Sequence, residues 1–416
     1  MSMPAAAAQG QATGASEAHG VPKRRLPMVH KLAYKNLFHD KLSLLVTLIG
    51  IVFSVVLVAV QLSMYEGTER LVTSVIERAP ADLWVVPLET KSFDDPFPLI
   101  GREKQALQSI PGVSKVNEMV VSFATWKRKS GGNTTVSIVG LDDLPHGRLP
   151  WDIEVGSAQD ILRPSSIAID AVYFKELGLK ASNSDELLKP SEAINYKAEI
   201  NGFQVTVTAV THGIRSFTTV PYIFTSIANA RALTDTAPEQ ANFIRVQVAE
   251  GSDLAAIKKQ IEFRLPDRNV LTHEEFRTRN IDRWMFETGA GVGIIAGTLL
   301  GIIVGIVIVA QTLYSSTKDH LNEFATLRAL GASAGYINKV ILIQAVLSAV
   351  IGYVVGMALA ILIVWIVKVT ETELPMAMTP TLAGYLFALT VGMCVLASVG
   401  AIFKVIRIDP AAVFSR

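Results

Sequence analysis

The segment Gly289–Ala332 reads GAGVGIIAGTLLGIIVGIVIVAQTLYSSTKDHLNEFATLRALGA. It consists of an apolar first part and a polar second part. Its first part, Gly289–Leu313, contains no charged residue. At about 1.5 Å per residue, this part is long enough to cross a hydrocarbon layer of about 30 Å as a helix. The second part is polar and ends in Leu-Arg-Ala-Leu-Gly-Ala. The segment therefore predicts a transmembrane helix followed at once by a short helix outside the membrane.

Glycine occupies every fourth position of the apolar part, at Gly289, Gly293, Gly297, Gly301 and Gly305. Small residues at this spacing let the backbone of another helix approach closely. The third apolar span of the chain repeats the pattern at Gly352 and Gly356. This glycine ladder predicts a helix-packing face, and the partner helix can belong either to the same chain or to a second subunit.

The polar part contains a candidate docking site for another protein. Its apolar residues recur at helical spacing, at Phe324, Leu327 and Leu330. Glu323 and Arg328 lie on other faces, and Gly331 stands where glycine commonly ends a helix. A short amphipathic helix of this kind can dock to a partner. The alternative is a turn that only joins two membrane spans.

Four apolar spans divide the 416-residue chain, at 42–64, 287–314, 336–368 and 381–404. Half of the residues are hydrophobic and 18% are charged, which is typical of a membrane protein with one soluble domain. Lysine and arginine precede the first span, lie between the second and third, and follow the fourth, so both termini are predicted to be cytoplasmic.

The other predicted segments are a disordered tail (1–22), an amphipathic interfacial helix (23–41), a periplasmic domain (65–286), a cytoplasmic coupling helix (315–335), a short periplasmic loop (369–380) and a cytoplasmic tail (405–416).

The insert at 65–286 alternates short β-rich stretches with two amphipathic helical ones, which predicts a soluble α+β domain. A strand–helix–strand pattern occurs at 82–126 and returns at 242–271. These two units predict a ferredoxin-like, porter-type subdomain, with 145–240 forming an inserted second subdomain. The stretch 273–287 contains no proline or glycine, so it predicts a stiff rod that runs into the glycine-ladder helix.

Several kinds of chemistry have no signature in this sequence. It contains no G-x-x-x-x-G-K-[ST] loop, no H-E-x-x-H, no Cys/His cluster at metal-ligand spacing and no G-x-S-x-G elbow. The centres of the spans carry no acidic or basic residue, whereas an ion-coupled carrier would normally place one there. Cys394 lies among small apolar residues and is predicted to pack. We expect no catalytic residue, metal or cofactor in this chain, so energy must come from a partner.

The polar helix resembles a motif of the FtsX/MacB-type permeases of ABC transporters, the type VII or mechanotransmission systems. The family motif E-x-x-x-L-R-A-[LI]-G-A is matched at Glu323, Leu327, Arg328, Ala329, Leu330, Gly331 and Ala332. Ala33–Leu37 resembles the family's A-x-[KR]-N-[LI] before the first span, and Asp409–Ala411 resembles its D-P-[AS] after the fourth. The order of segments along the chain is also typical of the family, namely one span, a large periplasmic domain and three further spans. Tyr65–Pro87 looks most like the DevC branch.

The resemblance implies a non-catalytic permease subunit of the bacterial inner membrane. Its implied partners are a second permease copy in a homodimer and a separate ATPase that binds ATP and Mg, because the sequence carries no fused nucleotide-binding domain. A periplasmic adaptor and an outer-membrane channel are further partners of such systems, and no nucleic acid is expected. In this mechanism, closure of the ATPases on ATP moves the periplasmic domains, and the motif residues form the ATPase-coupling site.

Three functions remain open from the sequence. The first is export of a lipid, peptide or small molecule, and the second is FtsX-like signalling that activates a periplasmic hydrolase without transport. The third is a sensor that reports a bound ligand to a cytoplasmic partner. The size of the insert, with its two predicted subdomains, favours export over the compact domain of FtsX.

Overall fold

The computed structural model describes residues 28–181, 186–370 and 374–406. The predicted tail at 1–22, most of the tail at 405–416 and the motif Asp409–Ala411 lie outside the described residues. Within the described part, four helices are long and apolar enough to cross a membrane. Numbered in chain order, they are α2 (Lys41–Arg78), α8 (Ala290–Asp319), α10 (Ala334–Val369) and α11 (Pro380–Ile406). The predicted class, a four-span helical membrane protein with a large α+β domain, is confirmed.

The first membrane helix is much longer than the membrane is thick. It follows α1 (Met28–His39) after a single residue, Asp40, whose side chain accepts a hydrogen bond from the N–H of Ser43 (3.1 Å). The 38 residues of α2 then continue without a break to Arg78, a length of about 57 Å. The sequence interpretation ended the first span at residue 64, but the helix continues into the soluble domain.

The rod predicted for 273–287 is wrong, because the structure interrupts it twice. The helix α7 (His273–Ile281) is followed by a π-helical segment, Asp282–Glu287, instead of a continuous α-helix. Gly289 then adopts φ +82°, a left-handed conformation that is readily available to glycine and that ends helical continuity. The membrane helix α8 therefore starts afresh at Ala290. The stiff connection through the membrane is α2 and not the second span.

Strands from the two ends of the insert form an antiparallel sheet. They are β1 (Leu83–Pro87), β3 (Val113–Lys127), β11 (Phe243–Val248) and β12 (Arg268–Thr272), in the order β12–β1–β11–β3. The crossing helices are α3 (Glu103–Gln108) and α6 (Leu254–Arg264). Leu107 of α3 and Ile257 of α6 share one buried cluster with Leu83 of β1. This order of strands and helices is ferredoxin-like, as the sequence predicted.

The inserted second subdomain continues the same sheet. β4 (Asn133–Leu141) pairs with β3, and beyond it lie β9 (Tyr222–Ser226), β6 (Ser166–Asp170), β8 (Phe203–Thr211) and β5 (Ile153–Val155), while β7 (Lys197–Ile200) pairs with both β3 and β8. Asn201 and Gly202, both at positive φ, form a two-residue turn between β7 and β8. The remaining elements are α4 (Phe174–Leu177), α5 (Ile227–Thr234) and a small sheet of β2 (Leu99–Ile100) and β10 (Gln240–Ala241).

Two helices connect the sheet to the membrane. We call the stalk the part of α2 from Met64 to Arg78 together with α7, which packs along it. Arg277 of α7 pairs with Glu69 and also with Glu77 (3.2 Å) of α2. A small apolar cluster with Val72 and Ile281 lies between the two helices. The stalk therefore fixes the long helix to the soluble domain through both ion pairs and apolar contacts.

Candidate functional site

The predicted coupling segment folds as a short helix with defined ends, α9 (Leu321–Ala329). At its C-terminus, Gly331 has φ +94°. The N–H of Gly331 donates to the carbonyl of Arg328 (3.0 Å), and the N–H of Ala332 donates to the carbonyl of Leu327 (2.9 Å). This pair of bonds is a Schellman motif, which requires a left-handed residue at the position of Gly331. Ser333 then caps α10 by accepting a hydrogen bond from the N–H of Tyr336 (3.3 Å).

The apolar side of α9 faces its own chain. Phe324 and Ala325 are each only 2% exposed, and Leu327 is half-buried. Phe324 lies in the buried cluster that also contains Ile337 of α10. The sequence interpretation assigned Phe324 and Leu327 to an interface with a partner, but the membrane helices bury Phe324 and cover part of Leu327. The reason is that helices α9 and α10 meet at a tight turn, so the apolar stripe of one packs on the other.

The remaining motif residues form the outer side of α9. Leu330 is 81% exposed, an unusual value for a leucine directly after a helix. Ala329 and Gly331 are exposed beside it, and Ala332 is half-buried. The Glu323 side chain is 59% exposed and contacts Nδ1 of His320 through Oε2 (3.1 Å). A second protein can therefore reach the predicted coupling residues Glu323, Ala329, Leu330 and Gly331.

Three glycines of the ladder contact the first membrane helix of the same chain. A Cβ atom built on Gly297 would lie 2.6 Å from Nε2 of Gln61, and one on Gly301 would lie 2.9 Å from Cγ2 of Val58. At Gly305, the same atom would lie 2.3 Å from Oγ of Ser54. No side chain larger than hydrogen fits at these distances without movement of a neighbour. The ladder therefore lets side chains of α2 pack directly against the backbone of α8.

The upper two glycines of the ladder have no such neighbour. Gly289 lies before the helix and supplies its left-handed start, so the interpretation of Gly289 as a packing residue is corrected. Among the described residues, and apart from the adjoining backbone, nothing lies within 4 Å of a Cβ built on Gly289 or Gly293. The ladder diverges from α2 here because a four-residue step drifts around a helix of 3.6 residues per turn.

The long helix α2 is at the centre of the membrane bundle. Ile51 lies 2.4 Å from a Cβ built on Gly352 of α10, and Val55 lies 2.8 Å from one built on Gly356. On its other side, the buried hydroxyl of Ser54 donates to the carbonyl of Gly301 (2.8 Å). The sequence analysis did not select Ser54, although a hydroxyl in an apolar span is a signal for an interhelical hydrogen bond.

Within residues 28–181, 186–370 and 374–406, no group of three or more His, Cys, Asp or Glu side chains is arranged to hold a metal ion. The elements that the structure brings together are the short helix α9, the close-packed bundle around α2, and the stalk that carries α2 into the soluble domain.

Two family descriptions match the chain. Residues 44–263, more than half of it, match the MacB-like periplasmic core domain, and residues 295–410 match the FtsX-like permease C-terminal domain. Together with the four candidate spans, these matches define a multi-pass membrane permease. The chain belongs to the FtsX/MacB-like permeases of ABC transporters, as its motif predicted. The assignment to the DevC branch stays a prediction.

Relatives with curated descriptions are distant. The pyoverdine export ATP-binding/permease protein PvdT of Pseudomonas fluorescens strain Pf-5 is 23% identical over 402 residues, which cover 91% of this chain and 58% of PvdT. An uncharacterized ABC transporter permease of Methanocaldococcus jannaschii is 24% identical over 132 residues, which cover 30% of this chain and 33% of that protein. The chain thus spans little more than half the length of PvdT.

Solved structures similar to this chain include the periplasmic region of MacB from Actinobacillus actinomycetemcomitans. That match covers 49% of this chain and 94% of the MacB region at 10% identity, with a TM-score of 0.36. The extracellular domain of the noncanonic ABC-type transporter YknZ from Gram-positive bacteria is similar over 46% of this chain and 99% of that domain, at 14% identity and a TM-score of 0.32.

Proposed function

We propose that this chain is the permease subunit of an ABC-type export system and that it transmits ATP-driven motion of an ATPase to its soluble domain, which extrudes or extracts a substrate. The observation that carries this proposal is the single helix α2. It runs unbroken from Lys41, at the end of the bundle beside α1, to Arg78, beside the sheet. A continuous helix of about 57 Å passes displacement and tilt from one end to the other.

The route into this helix begins at α9. Phe324 of α9 belongs to the same buried cluster as Ile51 and Val55 of α2, so a force on α9 acts on packed side chains. Close-packed interiors transmit such displacements because they contain little free volume. At the other end, the Arg277 ion pairs attach α2 to α7 and so to the sheet. Movement of α9 is therefore coupled to movement of the soluble domain.

The proposed setting is the bacterial inner membrane, with both termini in the cytoplasm and the α+β domain in the periplasm. The ATPase is a separate polypeptide that holds ATP and Mg, and the permease works as a homodimer. A periplasmic adaptor and an outer-membrane channel complete the export route. The chain itself catalyses no reaction in this scheme, since its part is to bind, move and release.

An FtsX-like signalling role, in which the same movement activates a periplasmic hydrolase without transport, is the second candidate. Both functions use the same helix, so the long helix favours neither. A cavity at the membrane surface, described below, favours transport, because signalling to a soluble hydrolase requires no such cavity.

The coupling role of α9 is tested by Leu330→Glu. Leu330 has little contact with its own chain, so a charge there leaves the bundle intact but opposes burial in a partner's groove. Loss of a buried interface anchor typically costs about 2 kcal/mol or more, a weakening of roughly thirtyfold. We expect the ATPase, co-expressed and co-purified, to be largely lost from the variant.

The matched control is Leu374→Glu, which places the same charge at an exposed leucine on the opposite end of the bundle. It should retain the ATPase at the level of the unmodified protein. Full recovery of the ATPase with Leu330→Glu, together with unchanged stimulation of ATP hydrolysis, would mean that α9 only joins two membrane spans.

A further inference from the structure

An open cavity of about 260 Å³ lies where the stalk, the second subdomain and the membrane bundle meet. One wall is a stripe of α2 that includes Gly67, Arg70, Ser74 and Arg78. Residues three, four, seven and eleven positions apart share one face of a helix, so this stripe faces the cavity along about 16 Å. The other walls come from segments distant in sequence, namely Trp151, Gly213 and Arg215 of the soluble domain and Pro375–Ala377 of the loop between α10 and α11.

The floor of the cavity is at the membrane surface. The loop Pro375–Ala377 joins two membrane helices, and the N–H of Ala377 donates to the carbonyl of Ser63 in α2 (2.9 Å). A Cβ built on Gly67 would lie 2.3 Å from the carbonyl oxygen of Pro375, so the loop lies directly on the helix backbone. Met376 and Leu71 make this end apolar.

The upper part of the cavity is cationic. Its described lining includes three arginines, Arg70, Arg78 and Arg215, and no carboxylate. Arg70 pairs with Glu66 on its own helix (2.9 Å), and the guanidinium of Arg78 lies 4.4 Å from the centre of the Trp151 ring. When a guanidinium stacks on an aromatic ring, the N–H groups along its edge remain available to a hydrogen-bond acceptor. Arginine binds phosphate or carboxylate through two parallel hydrogen bonds.

The loop that carries Arg215 is held in place before any ligand arrives. The buried carboxylate of Asp170 accepts hydrogen bonds from the N–H groups of Gly213 (3.1 Å) and Ile214 (2.7 Å). The hydroxyl of Tyr173 accepts one from the N–H of Ser216 (2.9 Å). Burial raises the pKa of Tyr173 to about 12, so it remains a neutral phenol at physiological pH. A preorganised loop loses little conformational entropy when it binds an anion.

We propose that this cavity binds the anionic head group of an amphiphile whose apolar part stays in the adjoining membrane leaflet, and that the substrate is taken up here. A volume of about 260 Å³ fits a head group and not a whole lipid. This inference rests on the proposed export function for its role as an uptake site, because it names the substrate class. The binding itself requires no ATP.

The test is lipid retention by the full chain, purified in detergent without ATPase or nucleotide and measured by native mass spectrometry. The probes are phosphatidylglycerol, which is anionic, and phosphatidylcholine, which is zwitterionic. The unmodified protein should retain phosphatidylglycerol selectively, and Arg70→Gln with Arg78→Gln should weaken that retention about tenfold or more, because each lost charge-assisted contact is strong. The matched control, Arg102→Gln with Arg163→Gln, removes two exposed arginines elsewhere, one of them also ion-paired.

A second variant, Ser74→Glu, keeps all three arginines and adds a carboxylate to the same wall. It should also lose phosphatidylglycerol, so the test does not depend on the folding of one variant. Equal retention of phosphatidylglycerol by the unmodified protein and both cavity variants would overturn the inference, as would equal retention of phosphatidylcholine. Displacement of the lipid by inorganic phosphate as readily as by short-chain phosphatidylglycerol would show a free-anion site instead. Recovery of the ATPase is measured separately, so failure here leaves the coupling proposal intact.

Discussion

Replacing Gly305 by leucine is expected to prevent assembly of the membrane bundle. A Cβ atom at this position would lie 2.3 Å from Oγ of Ser54 and 2.5 Å from Sδ of Met393, so the side chain would meet both α2 and α11. Overpacking of a close-packed site costs about 1–3 kcal/mol and sometimes more. Leucine has a higher helix propensity than glycine, so any loss must come from packing. Size-exclusion profiles and thermal unfolding in detergent should show little folded protein.

Gly293→Leu is the matched control for this prediction. It makes the same exchange in the same ladder, but no atom of the described chain beyond the adjoining backbone of its own helix lies within 4 Å of a Cβ built there. We expect normal recovery and an unfolding midpoint close to that of the unmodified protein. Equal loss in both variants, or in neither, would contradict the assignment of the lower ladder to contact with α2. A loss of dimer in Gly293→Leu alone would place a subunit contact on the upper ladder.

A proline at Glu66 is expected to uncouple the soluble domain from the ATPase. Position 66 lies inside α2, between the membrane bundle and the Arg277 ion pairs, where the helix is continuous. Proline in a helix interior costs about 3 kcal/mol and bends the helix, because it removes one backbone hydrogen bond and clashes with the preceding turn. The ATPase should still bind, since α9 is unchanged. ATP hydrolysis should no longer move the soluble domain relative to the membrane helices.

Glu66→Ala separates this effect from loss of a side chain. It removes the same ion pair with Arg70 but keeps the helix continuous. We expect ATP to move its soluble domain as far as in the unmodified protein. If ATP moved the soluble domain of Glu66→Pro equally far, the stiffness of α2 would have no part in the mechanism.

Local sequence rules predicted the features that depend on local geometry. Gly331 was assigned as the end of the coupling helix because a Schellman motif is formed by residues close in sequence, and the structure has both of its hydrogen bonds. The turn at Asn201-Gly202 is also local, because an Asn-Gly pair readily adopts the positive φ angles that a two-residue hairpin turn requires. The ferredoxin-like order was also predictable, since two strand–helix–strand units have few ways to share a sheet.

The errors come from contacts between distant parts of the chain. Spacing places Phe324 on an apolar stripe but does not say whether its own chain or a partner covers that stripe. The absence of proline and glycine predicts a rod at 273–287, where the helix is interrupted, whereas α2 stays helical through Gly50 and Gly67. The arginine-lined cavity could not be predicted, since its walls come from four segments that are distant in sequence.

The most direct test of the account is a distance measurement across the membrane surface while ATP is hydrolysed. With Cys394 replaced by alanine, spin labels at Lys259 on α6 and Leu374 at the edge of the bundle report how far the soluble domain lies from the membrane helices. In nanodiscs with the ATPase bound, ATP and Mg should shift the distance distribution by several ångström relative to ADP, and Glu66→Pro should abolish the shift. Identical distributions with ATP and ADP during active hydrolysis would contradict transmission through α2.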